Sequence, residues 1–313
     1  MKTPLRNGAK FLVVNSHNTV DSIFNRQNDA FLLRCQVAQR NEYSKAKSLA
    51  RRKAFFTLAF SILSVASSVL DVDWLSAVSS FLAVALALYN KHSGEEIKGM
   101  KKHAASIQQY IDVTIFAPAI GASVSDWGDI PSKSDLAESV SEYNGADVSA
   151  FLNWYSDYSS LTGESQVFYC QKENVRWDYA LHKGYRKLFV ALLCIVVLAV
   201  LVAFVMVNPS FVKAFLVASW FLPVAEYSLS IIKEVNESIS ILRDANDFAK
   251  ALEEKLNTSS SKTLKKEIIK LQHKIWNRRA NGYLIPDWFY EFHKKTRQEK
   301  EDNIARTIQN LDK

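Results

Sequence analysis

The 313 residues predict an all-α membrane protein. Its architecture is two transmembrane helical hairpins with long cytoplasmic helical extensions and a small, mostly helical cytoplasmic insert. Three observations predict this. Four apolar stretches are free of charge or nearly so. Lys and Arg gather at one end of each stretch. Gly and Pro are scarce, at 9 and 6 residues, which argues against Gly-rich phosphate loops, collagen and a disordered linker protein.

The four spans are expected at 54–70, 75–89, 188–207 and 214–232. A bilayer core about 30 Å thick takes about 20 apolar residues as a helix. Residues 188–207 hold 20 apolar or near-apolar positions in a row, and 54–70 carry no charge. The second and fourth stretches are shorter or interrupted and rely on pairing with their neighbours. The same runs would also serve a soluble protein as two buried hairpins. Tight turns close each pair, Asp71-Val72-Asp73 in the first and Asn208 to Lys213 in the second. Within 15 residues of the opposite ends lie sixteen Lys and Arg, against Lys213 alone in the turns. By the positive-inside rule both termini and the middle segment are cytoplasmic.

Five regions follow: a cytoplasmic N-terminal helix (1–53), the first hairpin (54–90), a cytoplasmic helical insert (91–187), the second hairpin (188–232) and cytoplasmic C-terminal helices (233–313). The insert is the candidate sensor. No basic and apolar leader opens the chain, so no cleaved signal peptide is expected. Charge is uneven: +8 in 1–53, −3 in 91–187 and +4 in 233–313. Basic juxtamembrane segments suit anionic lipid headgroups, so membrane lipids are an expected partner. No DNA or RNA binding is expected, since no nucleic-acid-binding motif is present.

Residues 20–53, without Pro or Gly, read as one helix running into the first span. Val235, Leu242, Ala245, Ala249, Leu252 and Leu256 form an apolar seam, and Leu264, Ile268, Leu271 and Ile275 a second. Such seams serve packing within the chain or self-association. Residues 111–131, with two Pro and two Gly, read as an extended loop. Residues 134–187 read as mostly helical and are dense in aromatic side chains, which form either a domain core or a ring-lined ligand site. For the ligand site the candidates are Trp154, Tyr155, Arg176, Trp177 and Arg186: aromatic faces stack on bases and guanidinium groups pair with phosphates.

Thr57, Ser61, Ser64 and Ser68 share one face of the first span, either for close helix packing or to line a water path after oligomerisation. Glu226 is the one acid within an apolar stretch, placed either inside the membrane or at its inner edge. Enzyme chemistry finds no footing. GxxxxGK[ST], HExxH, GxSxG and GxGxxG are all absent, and the six His show no ligand spacing. Cys35, Cys170 and Cys194 make no CxxC pair, so neither a disulfide scaffold nor a zinc ribbon is expected. No catalytic residue, metal or cofactor is expected.

Several longer motifs occur in order: RQNDAFLLRCQVAQRNEYSKAK (26–47), AASIQQYIDVTIF (104–116), NWYSD (153–157), CQKENVRWDYALHKGY (170–185) and IPDWFY (285–290). On these the chain resembles the SMODS-associating four-TM effector family (S-4TM), membrane effectors encoded beside cyclic-oligonucleotide synthases in CBASS-type antiphage systems. It departs from the family at APAIGA (117–122), where a more polar turn containing Trp-Asn is expected. The resemblance implies a multi-pass protein of the bacterial inner membrane, a functional link to a nucleotidyltransferase, a cyclic oligonucleotide ligand and a homo-oligomer. It implies that ligand binding disrupts the membrane and leads to abortive infection. It carries over no catalytic or ligand residue. A membrane-anchored helical scaffold without pore activity is the alternative.

Overall fold

The computed structural model describes residues 22–70, 73–207 and 211–311; side chains are not described at 64–70, 73, 75–77, 79–80, 203, 207 and 211–223. Among the described residues the chain is all helix, turn and loop, with no strand. Eight α-helices run in order: α1 (Ile23–Arg26), α2 (Ala30–Leu70), α3 (Asp73–Ile120), α4 (Lys133–Ser141), α5 (Gly163–Val207), α6 (Phe211–Glu253), α7 (Ser261–Asn281) and α8 (Asp287–Leu311).

Four of these helices exceed 40 residues. At 1.5 Å per residue each is about 60 to 70 Å long, roughly twice the thickness of a bilayer core. They pair as two hairpins, α2 along α3 and α5 along α6. Each helix is apolar near its hairpin turn and amphipathic at the far end. At the far ends α7 packs among α3, α5 and α6, and α8 lies against α5.

The core sits in this far-end bundle. Ile107, Ile111, Ile115, Phe116, Ile268, Leu271 and Trp127 are all but inaccessible to solvent. Burying each such aliphatic side chain contributes roughly 1.5–3 kcal/mol. The two C-terminal seams are consumed here: Val235, Leu242, Ala249 and Leu252 of α6, and Leu264, Ile268, Leu271 and Ile275 of α7, are buried within the chain. The apolar part of α5 behaves oppositely. It is the one helix among the described residues long and apolar enough by itself to cross a membrane, and none of its apolar window is buried. Ile195, Leu198, Leu201, Val205 and Met206 are more than half exposed.

Two sequence expectations need correction. The helix expected over 20–53 breaks at 27–29, because Asp29 caps a new helix: its Oδ1 accepts from the amides of Phe31 (2.9 Å) and Leu32 (3.1 Å). The loop expected over 111–131 is helical through Ile120. Ile107, Ile111, Ile115 and Ile120 recur at helical spacing and face the core. Pro118 is tolerated because it lies in the last turn, and Gly121 then ends the helix at φ +58°. Ala122 N donates to Ala117 O (3.0 Å) and Gly121 N to Pro118 O (3.3 Å), which closes the Schellman pattern. The segment 134–187 is mostly helical as expected, with an irregular stretch between α4 and α5 broken only by a short 3-10 turn at Ser149–Phe151.

Candidate functional site

The irregular segment before α5 is held by the gap between α1 and α2. Gln27 Oε1 accepts from the Tyr155 amide (2.7 Å), and Gln27 Nε2 donates to the Tyr155 carbonyl (3.2 Å). Next to it Asn28 holds Asn153 by one backbone and one side-chain bond. Its Oδ1 accepts from the Asn153 amide (2.9 Å) and its Nδ2 donates to Asn153 Oδ1 (2.9 Å). Asn153 sits at φ +54°, a conformation that Asn tolerates better than most residues. Two short side chains thus stand in for a strand partner, and Trp154 is pinned between the two clamped residues.

Trp154 is thereby placed on the wall of a cleft of about 220 Å³. Besides Gln108 of α3, the walls come from four places in the chain. α2 supplies Gln39, Arg40, Tyr43 and Lys47. The 151–154 segment supplies Phe151 and Trp154. α5 supplies Glu173, Asn174, Trp177 and Asp178, and the α7–α8 region supplies Arg278, Arg279, Tyr283, Tyr290 and Lys294. Rings, cations and amides therefore alternate around one hollow. Trp177 and Tyr290 meet at 6.1 Å between centroids, and the Arg40 guanidinium lies 5.6 Å from the Phe151 ring.

The cations are held by carboxylates rather than buried alone. Arg40 pairs with Glu291 and Lys47 with Asp287, both at 2.6 Å, and both pairs bridge α2 to α8 with partly exposed side chains. Arg278 pairs with Asp178 (2.6 Å). Arg279 pairs with Asp112 (2.6 Å) with both side chains almost wholly buried. Asp112 also accepts from Tyr155 Oη (2.6 Å) and Gln272 Nε2 (2.9 Å), so the cleft floor continues into a buried polar network. Three polar atoms of the wall have no hydrogen-bond partner within the protein: Gln39 Oε1, Tyr43 Oη and Arg278 Nε.

Burial sets the protonation of the groups around the cleft. Desolvation, reinforced by the neighbouring Glu301, pushes the Glu173 carboxyl up to about 8. Desolvation and then the Arg278 charge lower His182 to about 4, so its ring is neutral at physiological pH. Desolvation raises the Tyr43 phenol to about 12. This cleft therefore presents fixed cations, neutral rings and amides. No group of three or more His, Cys, Asp or Glu among the described residues could hold a metal ion.

Of the five ligand candidates named from sequence, Trp154 and Trp177 line the cleft. The other three lie elsewhere. Tyr155 is buried beneath it, its hydroxyl taken by Asp112 and by Asn174 Nδ2 (2.7 Å). Arg176 faces α8, where Nη2 (2.6 Å) and Nε (3.1 Å) both donate to Glu301 Oε2. Arg186 donates to Asn236 Oδ1 of α6 (3.2 Å). Sequence reasoning missed the walls from α2 and α8. Their signal was present in the motifs RNEY (40–43) and IPDWFY, both of which contribute cleft residues.

In the first hairpin Thr57 Oγ1 donates to Lys53 O (2.9 Å) and meets the Asn90 side chain of α3, and Ser61 Oγ donates to Thr57 O (2.9 Å). Those two hydroxyls are satisfied within the hairpin. The side chains of Ser64 and Ser68 lie outside the described residues. Glu226 is exposed on α6.

A family model described as the SMODS-associating 4TM effector domain matches residues 21–311. No curated protein and no solved structure matches the chain.

Proposed function

The chain belongs to the SMODS-associating 4TM effector domain family, and from that premise we propose that it is the membrane effector of a CBASS-type antiphage system, switched on by a cyclic oligonucleotide from a partner nucleotidyltransferase. In this reading it is a receptor joined to a membrane-perturbing device and not an enzyme. The observation that carries the reading is the cleft: aromatic faces, paired cations and unpartnered amide and hydroxyl groups converge where α2, the 151–154 segment, α5 and the α7–α8 region meet.

Each wall has a role. Trp154 and Trp177 offer faces for nucleobases, a contact worth about 1–3 kcal/mol per base. Gln39, Asn174 and Tyr43 offer hydrogen bonds to base edges and ribose. Arg40 and Lys47 pair with phosphates by exchanging Glu291 and Asp287 for phosphate oxygens, replacing one set of charge-assisted bonds by another. That exchange loosens α8 from α2. Because α2 and α5 continue without a break toward the apolar segments, a shift at the cleft reaches the membrane along rigid rods. The ligand favours an assembled, homo-oligomeric state of the spans only to the extent that it binds that state more tightly. The outcome is loss of the inner-membrane barrier and abortive infection.

Calorimetry on the purified protein with a panel of cyclic di- and trinucleotides tests the site. One member of the panel binds, and Trp177→Ala weakens it by about tenfold or more, the fold-change of one lost stack. Binding of no member, or binding by the Trp154→Ala and Trp177→Ala variants as tight as that of the native protein, overturns the assignment.

A further inference from the structure

The start of α8 carries a feature that the cleft does not use. Trp288 and Phe292 are 60% and 79% exposed and lie one turn apart, while Phe289, which flanks this face, is buried. Large exposed aromatics on one helical face mark a surface that meets something apolar. Their position says what. The Phe289 ring packs edge-on against Tyr185 of α5 at 5.2 Å, and against Gly184. Tyr185 lies three residues before Leu188, where the apolar run of α5 begins. That is about 4.5 Å along the helix, whereas the headgroup layer adds roughly 5–7 Å to each side of the hydrocarbon core.

Charge agrees with position. The acids of this turn are already neutralised, Asp287 by Lys47 and Glu291 by Arg40. Lys187 and Lys295 are exposed there, with no ion-pair partner among the described residues. From this end α8 runs away from the apolar segment, so that Glu301 meets Arg176, twelve residues before Leu188. Trp is favoured at the membrane–water boundary, and nearby Lys is drawn to anionic headgroups.

We propose that the first two turns of α8 are a membrane-interface anchor, with Trp288 and Phe292 seated among the headgroups of the leaflet that α5 enters and Lys187 and Lys295 facing anionic lipid. This rests on α5 crossing the bilayer through 188–207. The anchor places the α2–α8 ion pairs of the cleft directly above the lipid surface.

Environment-sensitive fluorophores test it in nanodiscs of phosphatidylethanolamine and phosphatidylglycerol. Cys194 is exposed in the apolar run while Cys35 and Cys170 are buried, so the native chain takes its label at Cys194. In a Cys194→Ser background, Phe292→Cys reports on the anchor and Thr307→Cys on the far end of α8. The expected result is strong quenching by lipid-borne doxyl groups at Cys194, clear quenching with a blue-shifted emission at position 292, and neither at 307. Quenching at Cys194 with a water-like, unquenched 292 probe overturns the anchor and leaves the span intact. A 292 probe that shifts only when two chains share a disc, without lipid quenching, assigns the patch to a second copy and overturns the anchor. No quenching at Cys194 removes the span and the anchor together.

Discussion

Replacing Gln27 by alanine removes both hydrogen bonds that hold the Tyr155 backbone. Gln27 is 2% and Tyr155 1% exposed, so water does not take over. A buried backbone group left unpaired costs about 1–3 kcal/mol. Two such groups make local opening of the 151–157 segment easier by at least about 2 kcal/mol, roughly thirtyfold in its opening equilibrium. Asn28 remains, so the segment loosens without detaching. Hydrogen exchange with mass spectrometry on the detergent-solubilised protein reads this directly. Peptides covering 151–157 exchange about thirtyfold faster in Gln27→Ala, while peptides from the middle of α7 keep their protection. Gln27→Glu keeps an acceptor for the Tyr155 amide, loses the donor to its carbonyl, and falls between the two. Exchange of 151–157 unchanged within twofold, or acceleration spread evenly over the bundle, refutes the clamp.

Three further outcomes follow from buried charges and one close helix contact. Asp112→Asn leaves the Arg279 charge buried without its counter-ion and costs about 3–5 kcal/mol, seen as a lower midpoint in thermal unfolding of the solubilised protein. Glu173 is held neutral in the folded state up to about 8 but ionises near 4.5 when unfolded. The folded state therefore binds the extra proton in between, and stability falls as pH rises through that window. His182 opposes this trend, because its lowered value makes the folded state gain stability with rising pH from about 4 to 6.5. Between pH 6.5 and 7.5 the Glu173 slope outweighs the fading His182 contribution, so melts of the native protein lose stability there and those of Glu173→Gln do not. Gly163 opens α5 where an added Cβ would run into the Ala119 carbonyl oxygen of α3. Gly163→Ala pushes the two helices apart and lowers expression of folded protein, as size-exclusion chromatography will show.

Much of the helical layout was legible because hydropathy and charge act locally. The apolar run from Leu188, the stop at Asn281-Gly282 and the restart after Pro286 are all decided by residues adjacent in sequence. The error at 111–120 arose from weighing Pro118 and Gly121 as loop formers. In fact Gly121 is a helix cap, and the buried face from Ile107 to Ile120 outweighs one proline in a final turn. The break at 27–29 was hidden because Asp29 looks like any charged residue until its side chain is seen on the α2 amides.

The cleft was half legible. Aromatic density pointed to Trp154 and Trp177, but nothing local distinguishes them from Tyr155, which a hydrogen bond to Asp112 commits to the core. Nor could spacing place Arg176, whose partner Glu301 lies 125 residues away. Arg40, Lys47, Arg278 and Arg279 join the site only through the pairing of α2, α7 and α8, a tertiary fact with no local signature.

Reconstitution in dye-filled liposomes tests the central claim most directly. Titration with the cyclic nucleotide that the purified protein binds releases the dye, with a midpoint that follows occupancy of the cleft and moves to higher ligand in Trp177→Ala. Dye retained at saturating ligand, or released equally without it, contradicts the account.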